Sequence, residues 1–331
     1  MTPDAAKCAV IQVKRGIGDV IWHLPFVRAI AAASPGGQVT FLAPPSSGAR
    51  ELLAAEASIA ETIYFEHAGS ELRRGLNVIR LVMLLRRRHF RTLWVLDRTT
   101  RPALAGLLAG IPERIGLGLG AQKLFITNAG IEQRHFHDQP VDWLRALLKA
   151  MNVPLPTTEP ALSLPHETLA AVAEKFKLYA RPWLALGVGA SHPEKDWPDA
   201  YWAEFLDNLR NAGTVFLVGG AETMARAQNL IAGGTAATTV NACGLTLTEA
   251  AALLRLADLF VGTDSGPMNL AAAGATDAFA LFGSTPVLTY SKFIHAIEPP
   301  GGPAAGGMVR ISPAQVLERI APYLGREKAR P

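Results

Sequence analysis

A chain of 331 residues is longer than one hydrophobic core ordinarily supports, so two domains of ordinary size are expected. Hydrophobic residues make up 49% and charged residues 18%, which fits a globular protein with a large core, and no window approaches the roughly 20 uninterrupted apolar residues of a membrane span. The net charge of +4 is unevenly spread: through Pro160 there are 19 Lys+Arg against 13 Asp+Glu, or +6, which leaves 13 against 15, or −2, for the remainder.

The opening stretch MTPDAAKCAVIQVKRG has no basic segment leading into a long apolar run, which argues against a secretory signal. Ala9 to Val13 is predicted as a short strand, followed by the loop KRGIGD and the helical pattern DVIWHLPFVRAIAAA. Strand, glycine loop and helix in that order begin a doubly wound unit, with the loop at the sheet edge where ligands bind. Gly16 and Gly18 resemble half of a dinucleotide fingerprint, but Ile21 stands where the third glycine belongs and no strand-end acid follows about 20 residues on. Asp19 is either a helix cap or, with glycines admitting a substrate close to the backbone, a general base.

Further strands are predicted at Gln38 to Leu42, Thr62 to Phe65, Thr92 to Leu96 and Arg114 to Leu117, alternating with helical patterns, which implies a mainly parallel sheet covered on both faces. Within this half, ELRRGLNVIRLVMLLRRRHFRTLW carries Arg73, Arg74, Arg80, Arg86, Arg87, Arg88 and Arg91 around an apolar helical stripe. A basic amphipathic helix suits an anionic membrane surface or a phosphorylated acceptor, and it also suits an ordinary solvated face. Nucleic acid fits less well, because few aromatics lie near these arginines and no nucleic-acid module is present. His135 and His137, in RHFHD, lack a third ligand and read as a surface feature rather than a metal site.

After a predicted helix from Pro140 to Met151, the segment NVPLPTTEPALSLP reads as an extended linker. It places domains at 1–158 and 159–311, with a C-terminal helix and tail at 312–331. The second alternating series runs through a helix from His166 to Tyr179, strand Trp183 to Val188, helix Asp199 to Asn211, strand Thr214 to Val218 and helix Glu222 to Ile231. It continues with a short strand near Val240, the helix TLTEAAALLRLA, strand Asp258 to Val261, a helix opened by Pro267 and strand Ala278 to Phe282. A last helical pattern, Pro313 to Leu324, follows a Gly/Pro-rich loop long enough to let it pack back toward the first domain. Cys8 and Cys243 fit a reducing cytoplasm and read as packing residues.

Three loops at successive strand ends of the second half carry polar chemistry. GVGASHPEKDWP offers Ser191, His192 and Lys195, the last suited to neutralising a phosphate as a point charge. VGGAE places Glu222 after Gly220, where a carboxylate could accept the hydroxyls of a ribose or simply support the next helix through its dipole. GTDSGPMN places Thr263, Asp264, Ser265 and Gly266 at a helix N-terminus, an anion site in outline, although such residues often serve only as caps. Together the loops point to one anionic, nucleotide-like ligand.

GIGDVIWHLPFVRAI, GASHPEKDWPDAYWAEF, LVGGAE and GTDSGPMNLAAAG…ALFG, in this order, resemble the signatures of the glycosyltransferase family 9 heptosyltransferases, and the likeness spans residues ~9 to ~320. The resemblance implies a GT-B fold of two Rossmann-like doubly wound α/β domains facing across a cleft, an N-terminal acceptor domain and a C-terminal nucleotide-sugar domain. It further implies metal-independent, inverting transfer of heptose from ADP-heptose to a sugar of the lipopolysaccharide core, with no cofactor. Asp19 would be the base, Lys195 would bind the diphosphate, Glu222 the ribose, and Asp264, Ser265 and Gly266 the phosphates and sugar. The acceptor would be an anionic lipid-linked glycan met by a cytoplasmic, peripheral enzyme. The family commonly has histidine where this chain has Asn269, which can donate a hydrogen bond but carries no positive charge. Other readings are a different nucleotide-sugar donor, a catalytically weakened paralogue that binds nucleotide or glycan, and a nicotinamide-dependent oxidoreductase resting only on Gly16-Ile17-Gly18.

Overall fold

Short runs of apolar and β-branched residues, such as CAVI, VTFLA, WLALG and TVFLV, are buried on both faces, as strands of a parallel sheet flanked by helices must be. The computed structural model describes residues 7–66, 71–132, 138–190, 192–209, 213–287, 290–304, 306–326 and 328, without the side chains of residues 71, 72 and 74. The chain divides into two compact units, Met1–Thr158 and Glu159–Pro331, and the boundary falls inside the proline-rich segment.

In the first unit the order is β1 (Cys8–Ile11), α1 (Ile17–Ala33), β2 (Val39–Ala43), α2 (Ala49–Leu52), β3 (Ile59–Tyr64), α3 (Glu71–Arg88), β4 (Thr92–Val95), α4 (Thr100–Leu108), β5 (Glu113–Gly116) and α5 (Pro140–Ala150). All neighbouring strands pair in parallel, in the order β3-β2-β1-β4-β5. Ile11, Val13 and Leu42 meet Leu81 and Leu85 of α3 and Ala103 of α4 in one core. The chain winds outward from β1 to β3 and then returns to the other side of β1 as β4. Loops leaving β1 and β4 therefore diverge, opening a crevice at the carboxyl edge where doubly wound proteins bind ligands.

The second unit repeats the plan with α6 (His166–Lys175), β6 (Trp183–Gly187), α7 (Asp199–Asn208), β7 (Thr214–Val218), α8 (Met224–Ala232), β8 (Thr238–Asn241), α9 (Leu247–Leu256), β9 (Leu259–Thr263), α10 (Gly266–Ala273), β10 (Ala278–Leu281), β11 (Ile294–Ile297) and α11 (Pro313–Ile320). Its six strands are all parallel, in the order β11-β10-β9-β6-β7-β8, so the switch point lies between β6 and β9. β11 was not among the strands expected from sequence; it is only four residues long and largely half-buried, so it carries little apolar signal. The last helix, expected to pack back toward the first domain, has its buried residues Val316 and Ile320 in the second unit's own core with Trp202, Phe205 and Leu206 of α7. The indole Nε1 of Trp197 donates to the carbonyl of Ile311 at 2.9 Å, fixing the approach to that helix.

Candidate active site

At the switch point of the first unit, α1 starts directly after the glycine loop. Asp19 sits in its first turn and faces back along it: the Gly16 N–H donates to Asp19 Oδ2 at 3.2 Å, and the Asp19 N–H donates to the Gly16 carbonyl at 3.2 Å. Oδ1 accepts from the Trp22 indole Nε1 at 3.2 Å. Asp19 is therefore a cap, yet a half-buried one with lone pairs remaining on both oxygens, so capping does not exhaust it. A Cβ on residue 16 would lie 2.9 Å from Asp19 Oδ2, so a larger residue there would push this carboxylate out of its present position.

One turn further, the fully buried His23 places Nδ1 2.5 Å from the Asp19 carbonyl, which makes Nδ1 the protonated nitrogen because a carbonyl only accepts. Burial pushes its imidazole below the usual histidine value and keeps it neutral, while its ring stacks on Trp22 at 3.6 Å. The loop after β4 supplies Asp97, a buried acid that sequence reasoning missed. Its Oδ2 accepts from the Val13 N–H at 3.1 Å, and its Oδ1 from the Thr99 N–H at 2.7 Å and the Thr99 hydroxyl. Asp97 thus clasps the two diverging loops together. Beside them a small, largely apolar hollow of about 30 Å³ is lined by Val13, Phe65, Leu81 and Pro102, with Glu66 and Arg101 as its charged members.

At the switch point of the second unit, the loops after β6 and β9 are joined directly. Lys195 ends a short 3-10 turn (Pro193–Lys195) and donates from Nζ to Asp264 Oδ2 at 2.6 Å, and the Thr285 hydroxyl donates to the same oxygen at 2.9 Å. The Thr263 hydroxyl donates to the Gly189 carbonyl at 2.9 Å, holding the loop bases in register. Asp264 is 9% exposed, and the side chains of the ion pair are 21% and 11% exposed, so it is partly screened from water. Ser265 stands at the cap position of α10 but makes no side-chain cap bond, and its buried Oγ has no hydrogen-bond partner among the described residues. Thr263 and Asp264 are committed to Gly189 and Lys195, so the turn is not a set of helix caps. It leaves first-turn amides and the positive end of the α10 dipole at the crevice.

The other expected residues are placed less centrally. Asn269 lies beneath the turn, 4% exposed, donating from Nδ2 to the Ser265 carbonyl at 2.7 Å and accepting at Oδ1 from the Tyr290 hydroxyl. Its observed role is to clamp the turn from below. Gly266 is the first residue of α10, and Gly18 is half-buried in the first turn of α1. Glu222 is exposed on the next loop outward, folded over Gly220 so closely that a Cβ there would lie 2.3 Å from its Oε2. His192 is exposed at the start of the Lys195 turn, and Ser191 lies outside the described residues, as do His135 and His137. Among the described residues no group of three or more His, Cys, Asp or Glu side chains is placed to hold a metal ion. Thr285 and Tyr290, which contact the turn from a loop about 20 residues downstream, had no local signal by which sequence could find them.

Two doubly wound parallel units in one chain, the second presenting a lysine and a helix N-terminus at its switch point, are the plan of the GT-B-like fold. The glycosyltransferase family 9 (heptosyltransferase) model matches residues 78–296, and the chain belongs to that family. It is 26% identical over 340 residues to lipopolysaccharide heptosyltransferase 2 of Salmonella typhimurium, covering 94% of this chain and 97% of that protein. Among solved structures it resembles the Escherichia coli ADP-heptose lps heptosyltransferase II, with TM-score 0.75, 24% identity, and 96% and 98% of the two chains covered. It also resembles the E. coli heptosyltransferase WaaC determined with ADP-2-deoxy-2-fluoro heptose, with TM-score 0.72, 17% identity, and 95% and 99% covered.

Proposed function

We propose that the protein transfers heptose from ADP-heptose to a sugar of the lipopolysaccharide core, with inversion at the anomeric carbon and without a metal ion. The observation that carries this reading is the Lys195–Asp264 contact at 2.6 Å beside the uncapped N-terminus of α10. It brings an ammonium and fixed amide dipoles together where, on this reading, a leaving diphosphate develops charge, and preorganised donors of that kind contribute several kcal/mol to the transition state. The second unit, Glu159–Pro331, is the donor domain on this reading, and the first, Met1–Thr158, binds the acceptor.

In the reaction, the acceptor hydroxyl oxygen attacks the anomeric carbon from the face opposite the diphosphate. Asp19 takes the hydroxyl proton, the bond from the anomeric carbon to the phosphate oxygen breaks, and ADP departs with that electron pair. Lys195, released from Asp264 by the incoming phosphates, offsets the charge, while Ser265 Oγ and the α10 amides donate to the phosphate oxygens. Glu222 is free to turn outward and accept ribose hydroxyls.

The test is ADP-heptose with a heptose-deficient core acceptor, read by mass of the glycan product and by ADP release. A product heavier by one heptose is expected; tight ADP binding with no product would instead favour a weakened nucleotide-binding paralogue, the reading that Asn269 motivates. A thermal-shift comparison of ADP-, UDP-, GDP- and dTDP-sugars at equal concentration tests the donor base, since the tighter ligand raises stability further.

A further inference from the structure

α3 presents two unlike faces. Leu81 and Leu85 are buried in the first unit's core, and Asn77, Val78 and Leu81 line the cavity. On the opposite side Leu76, Ile79 and Met83 are 46%, 56% and 47% exposed. At 100° per residue these three fall within an arc of roughly 60°, and Arg73, Arg80 and Arg87 run along one margin of it with Arg86 on the other. All four arginines are exposed, and no ion pair is recorded for any of them among the described residues, whereas Arg88, further round the helix, is held by Glu61. The 18-residue helix has six arginines and a single acid, Glu71 at its first position. On α4, which packs beside α3, Leu107 and Leu108 are also exposed, at 42% and 54%.

Scattered exposed apolar residues need no explanation, but three on one stripe between a row of three arginines and Arg86 do. A solvated face would carry its arginines with acids at i±3 or i±4, and here it carries leucine, isoleucine and methionine instead. The combination fits a surface that is apolar below and anionic at its rim. An apolar stripe lying at the acyl boundary, with guanidinium groups at the phosphate level, is the geometry of an interfacial helix. No helix among the described residues is long and apolar enough to cross a membrane, so contact of this kind would be in the plane of the interface.

We propose that the exposed face of α3, Leu76, Ile79 and Met83 with Arg73, Arg80, Arg86 and Arg87, docks the protein on an anionic phospholipid bilayer. This deepens the transferase reading by supplying the surface on which a lipid-linked acceptor is met, but the face is distinct from the residues proposed for the transfer. The side chains that insert point away from the cavity, so docking leaves the acceptor edge of the first unit open.

The experiment is co-sedimentation of the full chain with sucrose-loaded vesicles of phosphatidylcholine and phosphatidylglycerol at 7:3, compared with phosphatidylcholine alone, at 0.1 M and 0.5 M NaCl. Binding to the anionic vesicles, weakened several-fold by the higher salt and absent on neutral vesicles, is expected. Leu76→Gln/Ile79→Gln/Met83→Gln and, separately, Arg80→Gln/Arg87→Gln should each lower the partition coefficient tenfold or more while melting within about 2 °C of the parent, since all five positions are exposed. Equal binding by the triple variant, or no binding of the parent to anionic vesicles at 0.1 M NaCl, overturns the proposal. So does a vesicle-free dimer, seen by sedimentation velocity, that the triple variant abolishes, because the stripe would then be covered by a second copy. Turnover on a lipid-free acceptor should be unchanged in both variants. Loss of vesicle binding with turnover retained, and the reverse, thus separate failure of the docking surface from failure of the transferase reading.

Discussion

Asp19→Asn separates the two roles that the geometry gives this residue. The amide is nearly isosteric, but one of its two terminal atoms is now a donor, facing either the Gly16 N–H or the Trp22 indole N–H that the carboxylate accepts at 3.2 Å each. Losing one such bond at a helix N-terminus, together with the favourable charge–dipole contact, costs about 1–2 kcal/mol. For a unit of this size that is a fall in melting temperature of roughly 2–8 °C. Loss of a general base costs much more on the barrier, typically 10²- to 10⁴-fold, or about 3–5 kcal/mol. A variant that melts a few degrees lower, binds ADP within a few-fold of the parent and transfers heptose at least a hundredfold more slowly is the expected result. Calorimetry, ADP titration and a coupled ADP-release assay on one preparation measure all three. A variant with the lower melting temperature and normal turnover would leave Asp19 a cap and remove it from the chemistry.

Lys195→Met strands a 9% exposed carboxylate with Thr285 as its remaining donor, so a loss of about 1–3 kcal/mol is expected in urea unfolding, between the ranges for exposed and buried pairs. Asp264→Asn in the same chain should recover much of it, whereas ADP affinity should fall at least tenfold with Lys195→Met and stay low in the double variant. Tyr290→Phe leaves Asn269 Oδ1 without its buried partner and should cost about 1–3 kcal/mol with turnover reduced, because the Ser265 turn loses its clamp. Burial pushes the Lys328 amine from 10.5 down to about 8, although Nζ donates to the carbonyls of Arg255 and Gly274 and to the Thr276 hydroxyl. The unfolded chain binds this proton more tightly, so stability from this group rises with pH between about 8 and 10.5 and is lost as pH falls through 8; Lys328→Met should flatten that part of the stability–pH curve relative to the parent.

Strand identity and the doubly wound plan were readable because buried parallel strands are continuous apolar runs. The strand Thr214 to Val218 was expected with the bounds it has, and Pro140 opens α5 as anticipated. Helix ends were less legible: Asp199 to Asn211 was expected where the structure gives Asp199–Asn208, since fraying and capping geometry, not periodicity, set the last turn. At the site, sequence named the residues on the three strand-end loops, because small residues and a lysine after an apolar run are a local pattern. It did not name Asp97, Thr285 or Tyr290, whose partners are 84, 21 and 21 residues away. Such contacts arise from strand order, and no local pattern encodes them.

Asn269 shows what that distinction means for the chemistry. As a sequence position it stands where the family commonly has a histidine, and one would assign it to the phosphates on that ground. In the fold its amide is spent on the Ser265 carbonyl and the Tyr290 hydroxyl, and at 4% exposure it lies under the turn. The positive potential at this crevice is therefore assembled from Lys195 and the α10 N-terminus, with no second titratable cation from residue 269. On the proposed reading, the cation that neutralises Asp264 would be released as the incoming phosphates take it over, so donor binding and charge redistribution would be one event. On this reading the ion pair keeps the ammonium in place between turnovers, Tyr290 keeps the turn rigid enough to present it, and dependence on Lys195 is the consequence of having asparagine at 269.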